Sequence, residues 1–146
     1  MVYVPIQITK SEFDSILFRN IYRLVDEYKV SNSYITVQDR EKDVSYPAYV
    51  IYIPETTKKR QTTTRTDSWI PVSIQIDFDA LPGEGDWQKT AEMHNTLEAG
   101  IESEEDNLRT AKIRFVGSEV VSAEALEINQ QQIFSRSVVF DFVVLL

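Results

Sequence analysis

Cysteine is absent from this 146-residue chain, and histidine occurs once, as His94. The lack of thiols excludes disulfides and thiolate chemistry, so folding does not depend on the redox compartment. A single imidazole argues against a zinc site built on histidines. No apolar run approaches the roughly 20 residues that cross a bilayer, and the N-terminus lacks the basic start and apolar stretch of a signal peptide. These absences predict a soluble protein made in the cytoplasm.

Positive charge is also scarce, because 15 Lys and Arg residues stand against 23 Asp and Glu residues, giving a net charge of −8. This balance argues against a protein whose whole surface binds nucleic acid, since phosphate binding draws on Lys and Arg. It leaves room for a local basic patch. Apolar residues make up 42% of the chain, which is enough for a packed interior. The length fits one domain over residues 1–146, with no internal repeat.

The most regular pattern in the chain lies between residues 72 and 80. Apolar and polar side chains alternate strictly there; the apolar set is Val72, Ile74, Ile76, Phe78 and Ala80, and the polar set is Ser73, Gln75, Asp77 and Asp79. This period of two predicts a strand with one buried face. We expect the polar face to meet solvent or a neighbouring subunit. A second strand-like run, residues 46–53, precedes it, and the two are predicted to form a long hairpin.

Two segments have helical periodicity. Residues 11–28 carry a broad apolar stripe, and residues 87–101 carry a second one that begins at Trp87 and includes His94. Phe18 and Tyr22 lie beside the first stripe at a spacing of four. Two interpretations stay open for this pair: the rings widen the core face, or they face a partner. The acidic residues 102–106 are expected to end the second helix with fraying, because negative charge opposes the dipole at a helix C-terminus.

The last third of the chain has two strand patterns. Residues 110–121 predict a strand with a bulge near Gly117, and residues 122–131 are polar. Residues 133–146 are apolar on both faces, so this strand is expected to be central in the sheet or covered by a partner subunit. The element order predicts an α+β fold: an antiparallel or mixed sheet of about four to five strands, with two helices packed on one face and a long protruding β-hairpin.

Residues 54–68, here called the basic arm, lie between the two strands of the predicted hairpin. The arm has no aliphatic or aromatic side chain apart from Pro54, and its charge is +2 because Lys58, Lys59, Arg60 and Arg65 outnumber Glu55 and Asp67. A loop of this length is usually functional or disordered, and its Thr-rich flanks can also extend both strands. Three roles stay open: a solvated loop, a contact with an acidic neighbouring subunit, or a contact with DNA.

No pattern in the chain indicates a catalytic, cofactor or metal site. Asp77 and Asp79 share one strand face and could bind a cation or act in acid–base chemistry, but no histidine or third ligand is near in sequence. His94 falls on the apolar side of its helix and is interpreted as a semi-buried structural residue. The segment 83–85 lacks the Lys and the spacing of a phosphate-binding loop. We therefore predict a protein that is not an enzyme and has no cofactor.

The order of these elements resembles that of tail terminator and head–tail neck proteins of tailed phages. The resemblance comprises the first helix, the Tyr-Pro-Ala-Tyr-Val-Ile-Tyr-Ile strand, the long polar hairpin, the Ile76-Asp77-Phe78 strand, the helix from Trp87 and the final Val-Val-Phe-Asp-Phe strand. It covers nearly the whole chain and is one of order, length and texture. Tail-completion proteins of the head–tail connector share this layout, so the alternative is a tail-completion protein, a head–tail adaptor or another small non-enzymatic assembly module.

The resemblance implies a structural subunit of a ring, usually a homohexamer, in the neck of the virion. Such a ring caps the tail tube and docks the head connector, so its partners are copies of itself, the tail tube protein and the head–tail connector protein, with DNA in the channel and no membrane. The resemblance carries an interface or channel role to residues 54–68, which include Lys58, Lys59, Arg60 and Arg65. The residue patterns add Asp77, Asp79, Phe18 and Tyr22 as expected interface or channel positions. The family's role implies assembly in the host cytoplasm.

Overall fold

The computed structural model describes residues 10–38, 45–52, 55–56, 69–83, 87–128 and 130–145. The elements in chain order are α1 (Lys10–Tyr28), β1 (Tyr34–Val37), β2 (Ala48–Ile51), β3 (Glu55–Thr56), β4 (Trp69–Ala80), α2 (Trp87–Ser103), α3 (Glu105–Thr110), β5 (Ile113–Ile128) and β6 (Gln131–Leu145). The predicted α+β class is confirmed. No helix in the described ranges is long and apolar enough to cross a membrane.

The strands form one mixed sheet in the order β1-β2-β4-β6-β5, with the two-residue β3 also paired to β4. The β1–β2 pair is parallel, and the other pairs are antiparallel. The predicted pairing of segments 46–53 and 68–80 is confirmed, because Ala48 lies opposite Asp79 and Ile51 opposite Ile76. All four β2 residues are buried, as expected for a strand that is apolar on both faces. Apart from β3, the basic arm lies outside the described residues, so its protrusion stays a prediction.

The main core lies between the helices and the helix-facing side of the sheet. The apolar residues of β4 that share this face are all buried. Phe78 is near the centre, with its ring centroid 5.5 Å from that of Tyr49 on β2 and 6.3 Å from that of Phe140 on β6. The helices contribute the buried side chains Leu17, Ile21, Leu24, Val25, Met93, Leu97, Ile101 and Leu108. The amphipathic stripes of both predicted helices therefore face the sheet.

The terminal strand β6 is central in the sheet. It pairs with β4 along its length, from Leu145 opposite Trp69 to Phe134 opposite Ala80. Its other edge pairs with β5. A central position in the sheet, the first of the two predicted explanations, therefore accounts for the apolar character of both faces of this strand.

The strand predicted over residues 110–121 is longer than expected, because β5 continues to Ile128 through the polar segment, and β6 begins at Gln131. Leu126 lies opposite Ile133 and Ile128 opposite Gln131, past the point where β4 ends at Ala80. Residues 123–125 are solvent-exposed. Backbone hydrogen bonds to β6 maintain this end of the strand, and a pattern of buried apolar residues is not needed for that pairing.

The predicted fraying at the end of the second helix is wrong. The chain passes from α2 into α3, so Glu105 and Asp106 fall in the first turn of a new helix, where the helix dipole favours negative charge. Glu104, between the two helices, is almost enclosed and accepts hydrogen bonds from the Tyr28 hydroxyl, at 3.3 Å, and from the Asn107 amide. Gly100 permits this arrangement, because a Cβ there would overlap the ring of Tyr28.

Candidate functional site

The polar face of β4 differs from the sequence prediction. Ser73 is exposed and Gln75 is half-buried, but Asp77 and Asp79 are only 3% and 0% exposed. Solvent exposure is therefore the wrong interpretation for these two carboxylates, and an enclosed side chain cannot line a channel. On the same face Ala48 and Ser135, which pair with Asp79 from either side, are buried as well. The alternation along β4 correctly predicted which residues share the polar face, but it did not predict that part of this face is buried.

The carboxylate of Asp77 is fixed by neighbouring side chains. The Tyr52 hydroxyl donates to Oδ2 at 3.0 Å, and the Gln75 amide donates to Oδ1 at 3.0 Å. Both oxygens of Asp77 are thus engaged within the subunit, which is the arrangement of a satisfied structural carboxylate. Within the described part of the chain, no group of three or more His, Cys, Asp or Glu side chains could hold a metal ion.

His94 is the centre of a polar network that joins three elements. Arg136 on β6 donates from Nε to His94 Nδ1 at 3.2 Å, and His94 Nε2 lies 3.0 Å from the Ser118 hydroxyl on β5. The Ser118 hydroxyl donates to the Glu98 carboxylate on α2. Phe78 and Phe140 enclose the imidazole, with ring centroids 5.6 and 5.7 Å away. The predicted position of His94 on the apolar, buried side of its helix is confirmed, because its side chain is 5% exposed.

The proton positions in this network follow from the donors. Because Arg136 donates to Nδ1, the neutral imidazole carries its proton on Nε2 and donates it to Ser118. Burial lowers the pKa of His94, the positive charge of Arg136 lowers it further, and Glu98 opposes the shift. A serine nucleophile must instead give its proton to the imidazole. The Ser118–His94 pair therefore connects α2 to the sheet and does not have the geometry of a nucleophile with its base.

The outer edge of β5 is the most exposed apolar feature of the sheet. In the described residues β5 pairs with β6 alone, so its other edge is open. The register shifts between Phe115 and Gly117 and again between Val120 and Ser122. The bulge predicted near Gly117 is confirmed, and the sequence analysis missed the second one. The extra residues at the two bulges are Val116 and Val121, which are 65% and 53% exposed.

The two aromatic residues predicted beside the stripe of α1 differ in their surroundings: one ring faces the core and the other faces outward. Phe18 is half-buried and packs against the core, whereas Tyr22 is 38% exposed. Their ring centroids are 6.1 Å apart, so the buried ring supports the exposed one. Arg19, one turn before Tyr22, is also exposed. Tyr22 is therefore the member of the pair that is available to a partner.

A groove with a volume of about 470 Å³ lies between α2, α3 and the first part of β5. Its base includes the buried residues Ile101, Leu108 and Ile113. Glu98, Glu102, Glu105, Arg109 and Arg114 contribute the charged side chains of its walls. Arg109 forms exposed ion pairs with Glu105 at 3.3 Å and with Asp106 at 3.4 Å. Two of these wall residues, Arg109 and Glu105, are thus paired with each other within the subunit.

The four cations of the basic arm, Lys58, Lys59, Arg60 and Arg65, lie outside the described residues. The structure brings together residues that sequence reasoning did not connect, namely Glu98, Ser118 and Arg136 around His94. No local spacing could have revealed that set, because its members come from three elements that are far apart in sequence. The bulge valines had a weak sequence signal, since Gly117 interrupts an otherwise apolar strand.

Comparison with known proteins provides no family. No family model matches the chain, and no curated protein matches it. Among solved structures, a crystal structure of a protein from Akkermansia muciniphila aligns with 99% of this chain and 81% of its own, at 10% sequence identity and a TM-score of 0.34. A likeness at that TM-score supports no statement about fold or function. The functional argument therefore rests on the residues themselves.

Proposed function

We propose that the chain is a structural subunit of a ring at the head–tail junction of a tailed phage, where it terminates the tail tube and docks the head connector. The observation that carries the proposal is the open edge of β5. This 16-residue strand exposes Val116, Val120 and Val121. The bulges and charged residues of β5 oppose edge-to-edge pairing but leave these valines uncovered, and exposed apolar groups of this kind are typical of surfaces that subunits bury.

The layout of the chain supports assembly into a ring. The element order predicted from the sequence resembles that of tail terminator and neck proteins, and contact of one side of a subunit with a different side of the next closes into a ring when the rotation permits. The basic arm adds a charged element to an acidic subunit, which favours association between copies. In this proposal Lys58, Lys59, Arg60 and Arg65 contact a neighbouring subunit or DNA in the channel.

Native mass spectrometry together with negative-stain imaging tests the proposal. We expect the purified full chain to form closed rings, alone or when tail tubes are added, and we expect those rings at the ends of the tubes. A strict monomer under all conditions, including excess tail tubes, would contradict it. A matched control is bovine serum albumin at equal concentration, which accounts for non-specific adsorption to tube ends.

The same experiment separates the terminator role from its closest alternative. A tail terminator stops elongation when it is added to growing tubes, so tube length should become shorter and independent of the amount of free tube protein. A tail-completion protein or head–tail adaptor would bind the connector and leave tube elongation unchanged. Tube-length distributions with and without the chain therefore distinguish the two roles.

A further inference from the structure

We infer that the ring contact is heterologous, with the open edge of β5 in one copy packing against the α1–β1 side of the next copy. The inference rests on the proposed ring function and specifies the two surfaces that form the contact between neighbouring copies. The β5 surface comprises Val116, Val120 and Val121. The α1–β1 surface comprises Tyr22 on α1 and Val37 on β1.

The exposed large apolar side chains are concentrated on two opposite sides of the sheet. β1 and β5 are its outermost strands. β5 exposes three valines, and the opposite half exposes Tyr22, Tyr34 and Val37, each by 37–38%. α1 belongs to that half, since the Val30 N–H just after it donates to the Tyr49 hydroxyl on β2. Of the exposed large apolar side chains in the described ranges, one further residue, Trp87, lies elsewhere, and its ring packs on Phe134.

The bulges of β5 define the kind of contact. Regular pairing on an open edge requires an uninterrupted run of backbone groups, and a bulge disrupts that run and increases the local twist. The two bulges divide the edge, with regular stretches at residues 117–120 and 122–128. A second β5 therefore cannot pair along the full edge. Instead, the bulge residues Val116 and Val121 present two apolar side chains that a side-chain surface can bury.

Charge favours the α1–β1 side over a second β5 as the partner. Over residues 113–128 the charge is −2, from Arg114 against Glu119, Glu124 and Glu127. Two copies of β5 would bring these carboxylates together, and like charges across an interface disfavour association.

The α1–β1 side lacks the net negative charge of β5. Over residues 10–37 the positive and negative side chains are equal in number, with Lys10, Arg19, Arg23 and Lys29 against Glu12, Asp14, Asp26 and Glu27. Arg23 pairs with Glu27 at 3.1 Å and Lys29 with Asp26 at 3.2 Å, whereas Arg19 is exposed beside Tyr22. Arg19 and Tyr22 are three residues apart on one helix and are neighbours on its surface. The cation and the exposed ring thus form one surface that complements an apolar, acidic edge.

Two blocking variants of the full chain test the contact. V116K/V121K places lysines on the β5 edge, and Y22K/V37K places them on the α1–β1 side. The matched control is Q88K/N95K, which adds the same two charges at exposed positions of α2. We expect each blocking variant to be monomeric at a concentration where the wild type forms rings, which means at least about tenfold weaker association per interface. The control should form rings at the wild-type level.

Mixing the two blocking variants is the decisive measurement. Each retains the surface that the other lacks, so the mixture should form a 1:1 complex by native mass spectrometry and should not grow further. Circular dichroism and thermal unfolding verify that the variants are folded. If the lysine pair prevents folding, V116S/V121S repeats the test without added charge. Dimers of Y22K/V37K alone would overturn the inference, because they would show β5 packing against β5.

Failure of this inference is distinguishable from failure of the proposed function. Wild-type rings that persist in both blocking variants would overturn the assigned surface and leave the ring function standing. A wild-type chain that never assembles would contradict both. Rings of wild type, monomers of each blocking variant and a 1:1 complex of their mixture would support both.

Discussion

The two faces of β4 have the same strand geometry and opposite composition. The helix-facing side carries Val72, Ile74, Ile76, Phe78 and Ala80, and all five are buried under the helices. The other side begins with the exposed Ser73 and ends with the enclosed Asp77 and Asp79. The apolar face is uniform along the strand, whereas the polar face changes from solvated to buried within six residues.

This difference shows that polarity and burial are separate properties of a strand. An apolar face must be covered, so its composition specifies its environment. A polar face is stable in solvent, and it is also stable in the interior when its groups are hydrogen-bonded. Asp77 is buried and hydrogen-bonded, since Tyr52 and Gln75 donate to its two oxygens. Composition alone therefore could not distinguish the two ends of this face.

The largest expected effect is on the helix-facing side. Replacing Phe78→Ala removes a fully buried ring that contacts Tyr49 and Phe140, and we expect unfolding to require about 3–5 kcal/mol less free energy. Chemical denaturation followed by circular dichroism measures it. The control is Phe134→Ala, at a half-buried position beside Trp87, which should cost less than half as much. Equal costs would mean that the ring of Phe78 is not at the centre of the core.

The next effect is at the enclosed end of the polar face. Replacing Asp77→Ala leaves the Tyr52 hydroxyl and the Gln75 amide without this acceptor, so we expect a loss of about 1–3 kcal/mol in unfolding free energy. Tyr52→Phe removes one donor and should cost less. Denaturation curves at neutral pH measure both. A solvated carboxylate would give a value near zero for Asp77→Ala, which would contradict the enclosed arrangement.

Much of the fold could be predicted from periodicity, and much of the candidate site could not. Both amphipathic helices and the β2–β4 pairing followed from apolar spacing, because each element must bury one side. The strand over residues 122–128 was missed because hydrogen bonds to β6, rather than burial, stabilise it. The contact of Gly100 with Tyr28 and the network of Arg136 and His94 depend on residues distant in sequence. Sequence spacing contains no signal for contacts of that kind.

His94 lies on the helix-facing side of the sheet, and its lowered pKa should make the unfolding free energy depend on pH. Burial and Arg136 lower the pKa of His94 in the folded chain, so the unfolded chain binds a proton more readily. The contribution to stability is complete above the unfolded pKa of about 6.5 and decreases as the pH falls toward the folded pKa.

Denaturation curves between neutral and mildly acidic pH, for wild type and His94→Gln, isolate this contribution. The difference between the two curves should vary by no more than about 1.4 kcal/mol per pH unit, the limit for one proton. A difference independent of pH would mean that the imidazole is as easily protonated in the folded chain as in the unfolded one.

The smallest effect is expected at the exposed end of the polar face. The Ser73 hydroxyl donates to Asp141 Oδ1 at 2.6 Å, and the pair is exposed. Ser73→Ala should therefore change the unfolding free energy by less than about 0.5 kcal/mol. Ser73→Ala should be measured in the V116K/V121K variant, which is expected to be monomeric. A cost there as large as that of Asp77→Ala would show that this end of the face is enclosed within the subunit. If Ser73→Ala lowers the unfolding free energy only in the assembled ring, a neighbouring copy covers this end of the face. The hydrogen bond to Asp141 is the same in the monomer and in the ring, so it could not cause such a difference.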